Sequence, residues 1–204
     1  MLSGYSANHN DVIHQDNPNI IQYNVPYLLT RPQGNDNNTI SFLRLGFIIG
    51  SIGEMPSSIC DVGYGSGDFL IICEDFIKDR SGIEINGWKL PPGCKKGSYL
   101  LYYDVMTFFD VLEHFPTLDF IKSLQCKYLV ISVPSCNYGE DDEWFSQWNH
   151  RKPNEHLWHF NSLSIAKQMQ EYDFQHICTM NIEDVIRKSK NKPNIITAIF
   201  RKKI

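Results

Sequence analysis

Ser58-Ile-Cys-Asp-Val-Gly-Tyr-Gly-Ser-Gly67 is the stretch on which the fold of this chain turns. Ser58 to Val62 is short and apolar enough for a buried strand, and glycines follow at positions 63, 65 and 67. Beyond them Phe69, Leu70, Cys73, Phe76 and Ile77 recur at helical spacing, which predicts a helix from about Ser66 to Lys78 with those side chains inward. Strand, glycine turn and helix in succession bring backbone N–H groups and a helix N-terminus close to a ligand. A dinucleotide turn, G-x-G-x-x-G, would need glycine where Asp68 stands, and no G-K-[ST] follows to make a phosphate loop.

Outward from this turn the chain alternates strand and helix. Upstream, Asp36 or a neighbouring Asn can cap a helix through Ile40, Leu43, Phe47 and Ile48, which Gly50 and Gly53 end. Downstream come a strand at Gly82 to Asn86, an apolar run from Tyr99 to Phe109, and a helical stretch that Pro116 interrupts or restarts. Lys127 to Val133 is a further buried strand. Asn161 can cap a helix to about Tyr172, and Phe174 to Met180 and Asn194 to Phe200 form two closing strands. The alternation predicts an α/β fold with a mostly parallel sheet. Gly87 to Ser98 holds Pro91, Pro92 and three glycines, so no full helix-strand-helix insert fits there and a third strand is missing or shortened.

At 204 residues the chain suits one domain, here residues 39–204, preceded by an Asn-rich and aromatic arm or lid at 1–38. Tyr23, Tyr27, Arg31 and Arg44 could reach a ligand from that side. Hydrophobic residues at 42% and charged residues at 21% match a folded soluble protein. The apolar runs are too short for a bilayer and the N-terminus lacks a signal peptide's basic start, so a cytoplasmic location is expected, without a membrane span. A net charge of −4 disfavours nucleic acid as partner. Six cysteines without a C-x-x-C pair read as reduced structural thiols.

Asp61, Gly63, Gly65 and Gly67 resemble motif I of the class I S-adenosylmethionine (SAM)-dependent methyltransferases, an acidic residue followed by G-x-G-x-G. Tyr103-Asp-Val-Met-Thr-Phe-Phe-Asp-Val-Leu-Glu-His114 and Leu129-Val-Ile-Ser-Val-Pro134 look like the fourth and fifth strands of the subgroup containing ubiquinone-biosynthesis O-methyltransferases. The match runs from about Ile40 to the C-terminus. It implies a Rossmann-like methyltransferase fold with an antiparallel C-terminal strand, SAM as cofactor, and cofactor contacts at Asp61, Gly63, Tyr64, Gly65, Gly67, Glu84, Ile85, Phe109 and Asp110. Glu84 stands about twenty residues beyond the turn, where ribose recognition places an acid. Trp88, Leu90 or Tyr99 could supply an apolar wall for the adenine.

Methyl transfer from a sulfonium asks the protein to align the acceptor, exclude water and deprotonate an acceptor hydroxyl. Asp110, Glu113 and His114, spaced i, i+3 and i+4, would share one face if a helix begins there. In ubiquinone-type and small-RNA 2′-O-methyltransferases a carboxylate-x-x-Glu-His motif at this point binds a divalent cation. The resemblance assigns Asp110, Glu113, His114 and the later His156 as catalytic groups and as ligands of Mg²⁺ or another divalent cation, while His114 as a metal-free base is the competing expectation. The segment Asp141 to His159, rich in Trp and His, should line the acceptor pocket. The expected activity is O-methylation of a small molecule, sugar or lipid-linked acceptor. An RNA 2′-O-methyltransferase and a non-catalytic SAM-binding module are the alternatives. An amino-type N-methyltransferase would carry [DN]-P-P-[YF] after the fourth strand, where this chain has Phe-Asp-Val-Leu.

Overall fold

Ser58–Val62 lies inside a seven-stranded sheet, with parallel neighbours on both sides. In a computed structural model, residues 3–21, 35–138, 142–187 and 193–203 are described. In chain order the elements are β1 (Tyr5–Ala7), β2 (Ile13–Gln15), α1 (Asn35–Ile52), β3 (Ser58–Val62), α2 (Asp68–Ile72), β4 (Asp79–Ile83), β5 (Lys95–Lys96) and β6 (Tyr103–Phe109). Then follow β7 (Cys126–Pro134), α3 (Asp142–Gln147), β8 (Trp158–His159), α4 (Ser162–Glu171), β9 (Phe174–Met180) and β10 (Ile195–Lys202).

The large sheet has the order β5-β4-β3-β6-β7-β10-β9, and β10 runs antiparallel to both of its neighbours. Cys60 of β3 stands opposite Ser81 on β4 and Met106 on β6. Because β3 leads to β4 on one side and β6 lies on the other, the strand order reverses between β3 and β6, the position at which open α/β sheets bind ligands.

Helices cover both faces. On one, Leu45 and Ile48 of α1 and Phe69 and Leu70 of α2 bury against Ile59, Val105, Val130 and Ile199. On the other, Ile165 and Met169 of α4 join Leu118, Ile121 and Val12 over Cys60, Met106, Phe108, Leu129 and Ala198. Asn161 caps α4 as expected: its side chain accepts from Leu163 N and Ser164 N, and Ser164 Oγ accepts from Asn161 N. Such a box contributes about 1 kcal/mol. A smaller sheet, β1-β2-β8, pairs the N-terminal hairpin with the segment after β7, Ile13 opposite His159.

Several expectations shift. The helix after the glycine turn is α only over Asp68–Ile72 and then tightens to a 3-10 turn at Cys73–Asp75. Three residues per turn carry Phe76 off the buried face, and it is 48% exposed while Ile77 stays inside. The second strand ends at Ile83 rather than Asn86, because Ile85 N and Asn86 N turn back to donate to the Glu84 carboxylate. The third strand is present in shortened form, as Lys95–Lys96. The fourth begins at Tyr103, not Tyr99, which lies against Phe120. The stretch around Pro116 forms 3-10 turns at Leu112–His114 and Asp119–Ser123. α1 passes through Gly50 and stops at Gly53, whose φ of +72° closes the last turn with a bond to Ile49 O.

Tyr23, Tyr27 and Arg31 lie outside the described residues, as does the side chain of Asp36. All six cysteines are free thiols, and burial pushes those of Cys60 and Cys126 up to about 12, so they are inert hydrophobes. Among the described residues no helix is long and apolar enough to cross a membrane.

Candidate active site

The glycine turn leaves β3 at its carboxyl end, and each glycine there has positive φ. A Cβ at Gly63 would stand 2.6 Å from Val111 Cγ2, and one at Gly67 would stand 2.3 Å from Pro91 Cγ, so both positions are pressed against neighbouring loops. Gly65 differs: among the described residues its Cβ direction meets nothing within 4 Å. That open side is where a ligand can come up against the backbone. Glu84, at the end of β4, lies across the turn and accepts from Gly65 N at 3.0 Å. A carboxylate held beside a glycine turn suits a ribose diol.

The neighbours of the turn have structural partners. Asp61 is buried and accepts from Thr107 Oγ1 at 2.6 Å; burial pushes its carboxyl up to about 7 against that bond and the nearby Arg44. Tyr64 lays its ring on Gly82, which has no Cβ to obstruct it, and donates its hydroxyl to Trp88 O at 2.7 Å. Leu90 reaches the same place, whereas Tyr99 belongs to the core on the other face of the sheet. Ile85 is 85% exposed. Phe109 packs its ring edge-on to Phe69 and carries the Arg44 guanidinium on its face at 4.2 Å.

After β6 the chain turns sharply at Asp110, whose φ is +55°, while its N–H holds Ser132 O at 2.9 Å. The expected shared face of Asp110, Glu113 and His114 does not form, since a left-handed residue followed by a 3-10 turn replaces the helix. Asp110 is drawn instead to two arginines: its Oδ2 accepts from Arg44 at 2.9 Å and from Arg187 at 2.6 Å. Burial works to raise this carboxyl, but Arg187 and Arg44 outweigh it and hold it well below the usual carboxylate range.

Glu183, fully buried, closes a ring of two arginines and two carboxylates. It accepts from Arg44 Nε at 2.7 Å, and its other oxygen forms a close ion pair with Arg187 Nε at 2.6 Å, poorly aligned for a hydrogen bond. The sequence reading missed Glu183, although its i, i+4 spacing to Arg187 was a signal.

Glu113, His114 and His156 do come together, with one ligand atom from each within 4.8 Å of the others. Asp110 is not part of this group, which corrects the expected four-residue set. His114 Nδ1 donates to Glu155 O and His156 Nδ1 to His150 O, each at 2.8 Å, because a carbonyl can only accept. The two rings meet edge to face at 4.7 Å. Glu113 is buried, its Oε2 has no hydrogen-bond partner among the described residues, and burial together with Asp110 pushes its carboxyl up to about 8. Burial, then His114, pushes His156 down to about 2, so its ring stays neutral. A buried carboxylate and two imidazoles anchored through Nδ1 form a donor set that could hold a divalent cation or handle a proton.

The aromatic segment after β7 packs beside this cluster. Trp148 stacks on Trp144 at 5.5 Å, and Phe145 and His159 meet Tyr5 of β1.

With this geometry in view, the comparisons decide the family: a sequence pattern described as a methyltransferase domain matches residues 40–179. The chain belongs to the methyltransferase-domain family. No curated protein matches it in sequence. Its fold is similar to magnesium protoporphyrin IX methyltransferase from Synechocystis PCC 6803 with bound SAH, at TM-score 0.56 and 15% identity over 87% of this chain and 92% of that one. It is also similar to the methyltransferase domain of bacterial CtHen1-CN, at 0.52 and 15% over 80% and 99%. A SAM-dependent methyltransferase from Clostridium acetobutylicum ATCC 824 gives 0.53 and 11% over 79% and 90%. By family and fold this is a SAM-dependent methyltransferase, whose glycine turn and Glu84 occupy the switch point of the sheet.

Proposed function

We propose that this methyltransferase binds SAM in front of Gly65 and transfers its methyl group to a hydroxyl of a small, largely apolar acceptor. The observation that carries the reading is the open space at Gly65 with the Glu84 carboxylate beside it. Bound there, SAM supplies an electrophilic methyl on a sulfonium, which an acceptor oxygen takes in line as the thioether leaves. Asp61, Gly63, Tyr64 and Gly67 shape the turn, Glu84 receives the ribose, and Ile85 flanks it. Phe109 and Asp110 contribute through the close of β6 and through the hold on Arg44.

The chain's own chemistry lies on the acceptor side. Glu113, buried and poised near neutrality, takes the proton that the hydroxyl loses, and the rings of His114 and His156 wall the space beside it. Trp144, Trp148 and the other aromatic residues of the segment exclude water and favour an apolar acceptor. The net charge of −4 argues against a nucleic-acid backbone.

A second reading rests on the convergence of Glu113, His114 and His156: these three would hold a divalent cation that lowers the pKa of the acceptor hydroxyl. Asp110 has no part in that set, since its Oδ2 is committed to two guanidinium groups. The reading as an enzyme is tested by offering labelled SAM with a panel of hydroxylated acceptors, with and without Mg²⁺ or Mn²⁺. Methyl transfer that Glu113→Gln abolishes supports it; a protein that binds SAM and labels none of the panel is a binding module.

A further inference from the structure

The N-terminal hairpin is tied to the acceptor side through one residue. Asn154, in the left-handed conformation at φ +66°, turns its backbone N–H, its carbonyl and its side-chain oxygen to the segment 15–21. Its backbone N–H donates to Gln15 Oε1 at 2.6 Å, and its Oδ1 accepts from Gln15 Nε2 at 2.8 Å, so the two residues clasp each other reciprocally. The same Oδ1 accepts from Asn19 N at 2.9 Å, and the Asn154 carbonyl accepts from Ile21 N at 3.0 Å. Gln15 also donates its backbone N–H to Leu157 O at 2.9 Å. Gln15 therefore grips both ends of the stretch 154–157.

That stretch is what orients the buried acid and the imidazole. Leu157 N donates to Glu113 O at 2.7 Å, and Glu155 O receives His114 Nδ1 at 2.8 Å. Two consecutive residues of the 3-10 turn are thus fixed, one by its backbone and one by its ring, from the stretch that the hairpin holds.

We propose that Gln15 and Asn154 are positioning residues, and that their clasp makes the N-terminal hairpin the element that sets the tautomer of His114 and the place of Glu113. This deepens the reading of that pair as the acceptor-side machinery and rests on it. With the clasp removed the 154–157 stretch keeps its backbone bonds to Lys152 O and to Gln15 N but loses its side-chain tie to the hairpin, so Glu155 O moves out of the reach of His114 Nδ1 and the ring loses the acceptor that holds its proton on Nδ1.

The test uses the full chain with nitrogen-labelled histidine, reading the ring nitrogens by NMR at one fixed pH, with His114 assigned through His114→Gln. Asn154→Gly keeps the left-handed turn and deletes the clasping side chain; Asn154→Asp keeps the acceptor oxygen; Gln15→Ala removes the other half. The parent protein and Asn154→Asp are expected to show His114 as the Nδ1–H tautomer. Asn154→Gly and Gln15→Ala are expected to lose the pure Nδ1–H signature, with affinity for S-adenosylhomocysteine held within about threefold by calorimetry. An unchanged His114 signature in Asn154→Gly overturns the proposal. So does its loss in step with cofactor affinity, which marks general destabilisation. A parent protein that binds no S-adenosylhomocysteine strikes the enzyme reading alone, because the ring spectra still decide the clasp.

Discussion

His114 donates its Nδ1 proton to the backbone carbonyl of Glu155, 2.8 Å away and 41 residues along the chain. This bond fixes one imidazole tautomer beside Glu113 and joins the turn after β6 to the segment after β7, so the cluster of Glu113, His114 and His156 is built by two loops at once. The energetic consequences around it can be measured separately.

Glu113 should govern the rate. Its carboxyl is pushed up to about 8, so the base form accumulates as pH rises through that value. Initial rates of methyl transfer to a hydroxyl acceptor should climb with pH and level off above about 8. Glu113→Gln should remove that limb and cost roughly 10²–10⁴-fold in rate, leaving SAM affinity unchanged. A Gln variant with the parent's profile would exclude Glu113 as base.

Asp61 should make stability fall with rising pH. Its carboxyl is raised to about 7 in the folded protein from an ordinary 3.8, so the folded state holds the proton more tightly. Its contribution is complete below 3.8 and is lost as pH passes through about 7, with a slope of up to about 1.4 kcal/mol per pH unit between them. Urea unfolding at several pH values should show this decline, and Asp61→Asn, which keeps an oxygen for Thr107, should flatten it.

The ring of Arg44, Asp110, Arg187 and Glu183 should be sensitive to the loss of any one member. Glu183→Ala leaves the buried Arg44 and the half-buried Arg187 short of a counter-charge and should cost about 3–5 kcal/mol in urea unfolding. Asp110→Gly relieves about 1–2 kcal/mol of left-handed strain yet unpairs the same arginines, so it too should destabilise. A Glu183→Ala protein as stable as the parent would show that the ring is solvated in solution.

Gly63 and Gly65 should separate folding from binding. Gly63→Ala brings a methyl to 2.6 Å from Val111 and should lower the melting temperature markedly. Gly65→Ala meets open space and should lose only about 1–2 kcal/mol to its left-handed backbone while weakening SAM binding. Equal losses in both variants would contradict the difference in their surroundings.

What could be read in advance was local. The glycine turn, Glu84 and the capped α4 declare themselves through spacing within some twenty residues. The proline-rich stretch before Ser98 likewise limits the third strand to Lys95–Lys96. The left-handed turn at Asp110 was not legible, because the arginines that hold its side chain lie 66 and 77 residues away. With that turn the expected helical face of Asp110, Glu113 and His114 disappears, and His156 arrives from another loop. The N-terminal hairpin was hidden for a similar reason: β1 is three residues long, and β2 finds its outer partner only at Trp158–His159.

The most direct test is calorimetric titration of the purified chain with SAM, set beside the same titration of Gly65→Leu. Saturable binding by the parent and its loss in the variant are expected, with the variant still folding cooperatively, because a Cβ at Gly65 meets no described atom within 4 Å. No binding by the folded parent, or equal binding by both proteins, would contradict the placement of the cofactor in front of Gly65.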